Sequence, residues 1–150
     1  MADSISISVE GIAELQAEMR KLGEADPAEK VEPLLMEGAK TIRDTAKLAA
    51  PVGPTGNLKK SLVAKFLPAV TFNGPRAAGA GFDRKKAPHA WLVEFGSPMR
   101  IAKKGKHPGR SSGPMPANPI MRNAWDSTKD WVLSVIVHGL QKLVEESAKK

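Results

Sequence analysis

The chain has 150 residues, 23 Lys and Arg against 16 Asp and Glu for a net charge of +7, and no cysteine. That length predicts one domain over 1–150 with a single packed core. The absence of cysteine excludes disulfides and thiolate metal ligands, so packing alone must hold the core. The positive field would attract either nucleic acid or an acidic protein surface, and cannot by itself choose between them.

No window is long and apolar enough to span a bilayer, and Met1-Ala2-Asp3-Ser4 has neither the basic start nor the apolar block of a signal peptide. The expectation is a chain made and kept in cytoplasm, with no membrane partner. Ile5, Ile7 and Val9 alternate with Ser4, Ser6 and Ser8 in the period-2 pattern of a half-buried strand that Gly11 ends. Ile12, Leu15, Met19 and Leu22 then step by three and four residues up to Gly23, which predicts an amphipathic helix with a glycine stop.

Asp26-Pro27-Ala28-Glu29 offers a capping acid, a proline at the first helical position and a glutamate able to reach back. Proline is tolerated only in a first turn, so the spacing predicts a helix that restarts near Pro33 and runs through Leu34, Leu35, Ile42, Ala46 and Ala49 to stop before Pro51. Residues 51–57 read as a loop, Leu58 to Leu67 and Val70 to Phe72 as short strands parted by Pro68, and Gly79 to Phe82 as a further strand.

From Pro98 to Pro116 runs a long irregular stretch carrying Arg100, Lys103, Lys104, Lys106, His107 and Arg110. Loops this long are usually functional or disordered, so this one is expected to be mobile without a partner. Its cations suit phosphate or an acidic neighbouring protein equally well. Asn118-Pro119 repeats the cap-plus-proline start, and a final helix is expected to about Ser147 with Ile120, Ala124, Trp131, Val135 and Leu143 among its buried residues. The sum is an α+β fold: a small, mostly antiparallel sheet against two or three helices, with a long C-terminal helix and a long basic loop.

Patterns that would carry chemistry fail on spacing. In Gly53-Pro-Thr-Gly-Asn-Leu-Lys-Lys-Ser61, Asn57 stands where a phosphate loop needs its lysine directly after glycine. Gly79-Ala-Gly-Phe-Asp-Arg84 puts Arg84 at the third glycine of a dinucleotide fingerprint. His89, His107 and His138 are scattered, and Asp83 and Glu94 are the only carboxylates between residues 45 and 125. No metal, no cofactor and no enzyme activity is expected, since an active site gathers several convergent groups. Trp91, Trp125 and Trp131 read as core or subunit-interface aromatics rather than base-stacking platforms.

Four segments gain meaning from their order: Val9 to Met19, Ala49 to Leu62, Pro88 to Ser97 and Pro116 to Trp125. Together they resemble the neck, head-tail joining and tail-completion (minor tail) family of long-tailed bacteriophages. Thr55, Gly56, Asn57 and Leu58 match that family's Thr-Gly-x-Leu loop; Ala90, Val93, Glu94, Phe95 and Gly96 its Ala-x-x-Val-Glu-Phe-Gly turn; Pro116, Ala117, Pro119, Met121 and Arg122 its helix start. The chain departs at Gly53-Pro54, Ile120-Met121 and Asn123. The resemblance implies a structural virion protein with no catalytic residue. It would form a ring with copies of itself, six-fold by tail symmetry, between connector and tail-tube proteins, and be located in the virion neck and, during assembly, the host cytoplasm. The basic loop would then dock on an adjacent ring or face passing genomic DNA; the alternative is a basic nucleic-acid-binding protein. A turn with Trp91, Leu92 and Phe95 on the core would leave Glu94 needing a partner, expected to be Arg122 or an amide of the 51–57 loop, because a buried unpaired charge costs several kcal/mol.

Overall fold

The computed structural model describes residues 4–7, 17, 20, 27–67, 77–101, 103, 106 and 108–149. Its elements in chain order are β1 (Ser4–Ile7), α1 (Pro27–Ala49), α2 (Asn57–Ser61), β2 (Leu62–Leu67), β3 (Ala77–Phe82), α3 (Ala90–Phe95) and α4 (Ile120–Ala148). The three strands form an antiparallel sheet in the order β1-β3-β2, with Ile5 opposite Ala80 and Ala64 opposite Ala80 from the other side. Helix α1 lies across β2 and β3, and α4 packs on α1. The expected α+β architecture is what the chain adopts.

Helix α1 reaches the sheet through one face. Val31, Leu35, Ala39, Ile42, Ala46 and Ala50 recur at three- and four-residue steps and are all buried. They meet a central strand of small residues, Ala77 to Gly81, every one buried. Alanine and glycine are poor strand formers, but their short side chains let α1 pack closely on the strand. Each large aliphatic so buried, such as Ile42 or Leu35, contributes about 1.5–3 kcal/mol. Val132, Ile136, Ala124 and Ile120 of α4, which packs on α1, complete the same core.

Several expectations are corrected. Helix α1 does not restart at Pro33, which lies inside it on the exposed face. A single ladder bond is lost there, while Val31 and Leu35, which flank the proline, are anchored in the core. The strand expected from Leu58 starts at Leu62, because Gly56 takes a left-handed conformation (φ 61°) and residues 57–61 form one helical turn. The Lys60 amide donates to the Gly56 carbonyl at 3.1 Å, and the Ser61 hydroxyl donates to the Leu58 carbonyl at 2.6 Å. The strand expected at Gly79 begins two residues earlier and is the central one.

Within 98–116, isolated antiparallel bridges pair Ser97 with Met115 and Ile101 with Ser111, so the described limbs of this arm lie side by side. Gly109 and Gly113, both with positive φ, turn its return limb. Trp131, expected in the core, is half exposed at 50 %, whereas its neighbour Val132 is fully buried. Val9 and the strand proposed at Val70 to Phe72 lie outside the described residues, as does the helix proposed over 12–23 apart from Ala17 and Arg20, both helical.

Candidate functional site

Three of the four segments singled out in the sequence meet at one joint. Strand β3 leaves into a turn organised by Asp83, whose Oδ1 accepts from the Lys85 amide at 3.0 Å and whose carbonyl accepts from Lys86 and Ala87. This Asx-type turn delivers the chain to α3. Helix α3 is short enough to present only two faces. Ala90, Val93 and Glu94, at i, i+3 and i+4, point inward and are buried, which leaves Trp91 and Phe95 outside at 54 % and 56 % exposure. The expectation that Trp91 and Phe95 pack in the core is therefore reversed.

Gly96 ends α3 with φ 73° and ψ −176°, a combination open essentially to glycine alone. A Cβ at this position would stand 2.7 Å from the Met115 carbonyl oxygen and 2.8 Å from the Ala117 nitrogen. The close approach lets Ser97 and Met115 exchange two backbone hydrogen bonds of 2.8 Å and the Asn118 amide donate to the Val93 carbonyl at 2.7 Å. Residues 115–118, including Pro116 and Ala117, are thereby laid against the end of α3.

This brings the first turn of α4 onto Glu94. Pro119 occupies the N-cap position and has no side-chain acceptor, so the helix lacks an ordinary cap. The Glu94 carboxylate, 4 % exposed, takes that role from 27 residues away. Its Oε2 accepts from the Met121 amide at 3.1 Å, and its Oε1 from Met121 and Arg122, each at 3.2 Å. The Ile120 amide donates to the Asn118 carbonyl at 2.9 Å, so the opening amides of α4 all have acceptors. A negative charge at a helix N-terminus is further favoured by the helix dipole. Glu94 pairs with neither the Arg122 guanidinium nor the 51–57 loop: Arg122 contributes its backbone amide and its side chain is exposed.

The loop borders the other side of α3. Pro51, Gly53, Thr55, Asn57 and Leu58 face His89 and Val93 across a groove of about 200 Å³. The Asn57 amide donates to Thr55 Oγ1 at 3.4 Å, and Gly56 makes the left-handed turn that aims Leu58 inward. Thr55, Gly56, Asn57, Leu58, Val93, Glu94, Gly96 and Pro119 are thus parts of one construction.

The cations stay apart from it. Arg100, Lys103, Lys106 and Arg110 are exposed along the arm, and Lys104 and His107 lie outside the described residues. Trp125 is partly buried against the core and Trp131 is on the outer surface. Among the described residues no three His, Asp or Glu stand close enough to share a metal ion, and no helix is long and apolar enough to cross a membrane. Sequence reading missed His89 and Pro51 as groove residues, which no spacing rule marks. It also missed a second apolar stripe on α4, Leu133, Val137 and Val144, whose steps of four and seven were there to be counted.

The joint can brace the two helices and present surfaces. A family model described as "HK97-gp10_like: Bacteriophage HK97-gp10, putative tail-component" matches residues 13–96, more than half the chain. The match takes in the Thr-Gly loop and α3 and stops at the glycine that ends it. No curated protein and no solved structure matches the chain.

Proposed function

Since this chain belongs to the HK97-gp10-like family of bacteriophage tail components, we propose that it is a ring-forming subunit at the head-tail junction, completing the tail and joining it to the capsid connector. The observation that carries this reading is the family membership over residues 13–96. The chemistry of the joint agrees with it, because Glu94 is consumed in capping α4 while Trp91 and Phe95 face outward. Exposed aromatics on a short braced helix are the residues that interfaces favour.

In this reading the ring is built from copies of this chain, six by the symmetry of the tail, and its neighbours are connector and tail-tube proteins. It works in the virion neck and is put together in the host cytoplasm. A second reading, a basic nucleic-acid-binding protein, draws on the exposed Arg100, Lys103, Lys106 and Arg110. Within the first reading those cations meet genomic DNA only in passing.

Deleting the gene from its phage or prophage and imaging the lysate by electron microscopy tests the assignment. The expected result is separate filled heads with detached or over-long tails, corrected by a plasmid copy. Normal infectious particles without the gene would overturn it.

A further inference from the structure

The outer face of α4 is a seam. Asp126, Asp130, Leu133, Val137 and Val144 follow one another at steps of four, three, four and seven, the spacing that holds residues in line on one face of a helix, while Leu140 beside them is partly buried against the core. The adjoining face, through Val132 and Ile136, is already buried in the core, yet Leu133, Val137 and Val144 are exposed and so are both aspartates. An apolar stripe of this length on a helix that already has a buried face marks a contact surface.

The arm carries the complementary pattern. Met99 and Ile101 are exposed at 63 % and 60 %, and Arg100, Lys103, Lys106 and Arg110 are exposed around them. Because Ile101 and Val137 are both open in the same chain, the arm does not cover its own seam. Neither Asp126 nor Asp130 is in an ion pair among the described residues. On a chain of net charge +7, an acidic patch leading into an apolar stripe is where another copy's basic arm is drawn.

We infer that the α4 seam of one copy receives Met99 and Ile101 of the next copy, which lie on Leu133 and Val137 while Arg100, Lys103, Lys106 and Arg110 face Asp126 and Asp130. Two different patches on one chain make a head-to-tail interface, the kind that closes into a ring. Seam-to-seam pairing fits less well. In parallel it sets four carboxylates against one another, and in antiparallel it sets Asp126 against the apolar end at Val144; both leave the arm cations without a use. The inference rests on the ring reading and says which surfaces build the ring.

The absence of cysteine makes the test direct. A chain carrying Ile101→Cys and Val137→Cys together, assembled into particles and treated with a short bismaleimide, should run as a ladder of covalent multimers, whereas each single variant should stay monomeric. Both sites are exposed, so the fold should tolerate them, and a matching thermal melt confirms that it does. Dimers from Val137→Cys alone, or no ladder from the double variant in particles that contain the ring, would overturn the arm-seam contact and leave the ring standing. Particles in which the chain forms no ring would remove the ring reading itself. Independently, Asp126→Lys with Asp130→Lys should reduce infectious titre by about tenfold or more, and reversing Arg100, Lys103 and Lys106 to Glu in the same chain should restore it. Failure of that rescue would count against the pairing of charges.

Discussion

Glu94 caps the helix that begins 26 residues after it, its carboxylate holding the Met121 amide through both oxygens at 3.2 and 3.1 Å. One side chain thereby ties the end of α3 to the start of α4 and fixes where the basic arm leaves and returns. Hydrogen bonds to a charged group contribute about 1.5–3 kcal/mol, and an N-cap about 0.5–2 kcal/mol. Glu94→Ala should therefore destabilise by about 2–4 kcal/mol, a fall in Tm of about 5–12 °C for a chain of this size. Glu94→Gln keeps one acceptor and should lie between that variant and the parent. A melt of Glu94→Ala unchanged from the parent would show that the cap is not needed.

Two glycines make a contrast that urea unfolding can measure. At Gly96 an added Cβ meets backbone atoms at 2.7 and 2.8 Å in a conformation with φ 73°, so Gly96→Ala should lose about 3 kcal/mol or more or fail to fold. At Gly139 the nearest atoms to the added Cβ belong to the half-buried Leu34 side chain, its two methyls at 2.6 and 2.7 Å and its Cγ at 3.2 Å, and a side chain can yield where backbone cannot. Alanine also favours the helix there by about 1 kcal/mol, so Gly139→Ala should lose far less. Equal losses at the two positions would contradict the geometry.

The outward aromatics should separate assembly from folding. Trp91→Ser and Phe95→Ser remove side chains that are more than half exposed and should change stability by less than about 1 kcal/mol. Incorporation into particles should nevertheless fall sharply, as the loss of central aromatics does at interfaces. A variant that melts like the parent and assembles like it would take α3 out of the interface.

Contact with DNA is expected to be weak and governed by charge. Binding of duplex DNA by the purified protein should be independent of sequence, with Kd of about 10⁻⁴–10⁻⁶ M near physiological salt and a steep loss as salt rises. Fluorescence anisotropy across a salt series measures it. Tight, sequence-dependent affinity that survives high salt would favour the nucleic-acid-binding reading.

What the sequence made legible follows the physics of repetition. Pro27 and Pro119 mark helix starts because proline's missing amide is harmless there, and the Ala and Ile positions of α1 repeat often enough to show a face. Residues 58–61 looked like strand because a single helical turn is too short to display a period. Helix α3 misled for the same reason: with six residues, Trp91 and Phe95 form as good an apolar pair as Ala90 and Val93, and only the tertiary setting chose between them. The need of Glu94 for a partner could be read, but the partner could not. Backbone amides 27 and 28 residues away carry no side-chain signature.

The most direct test of the central claim is a reconstruction of the neck of the particle that carries this chain. The account predicts a closed ring of this fold between connector and tail tube, with α3 and the arm directed at neighbouring subunits. A neck resolved in full whose rings are all built by other chains would contradict it.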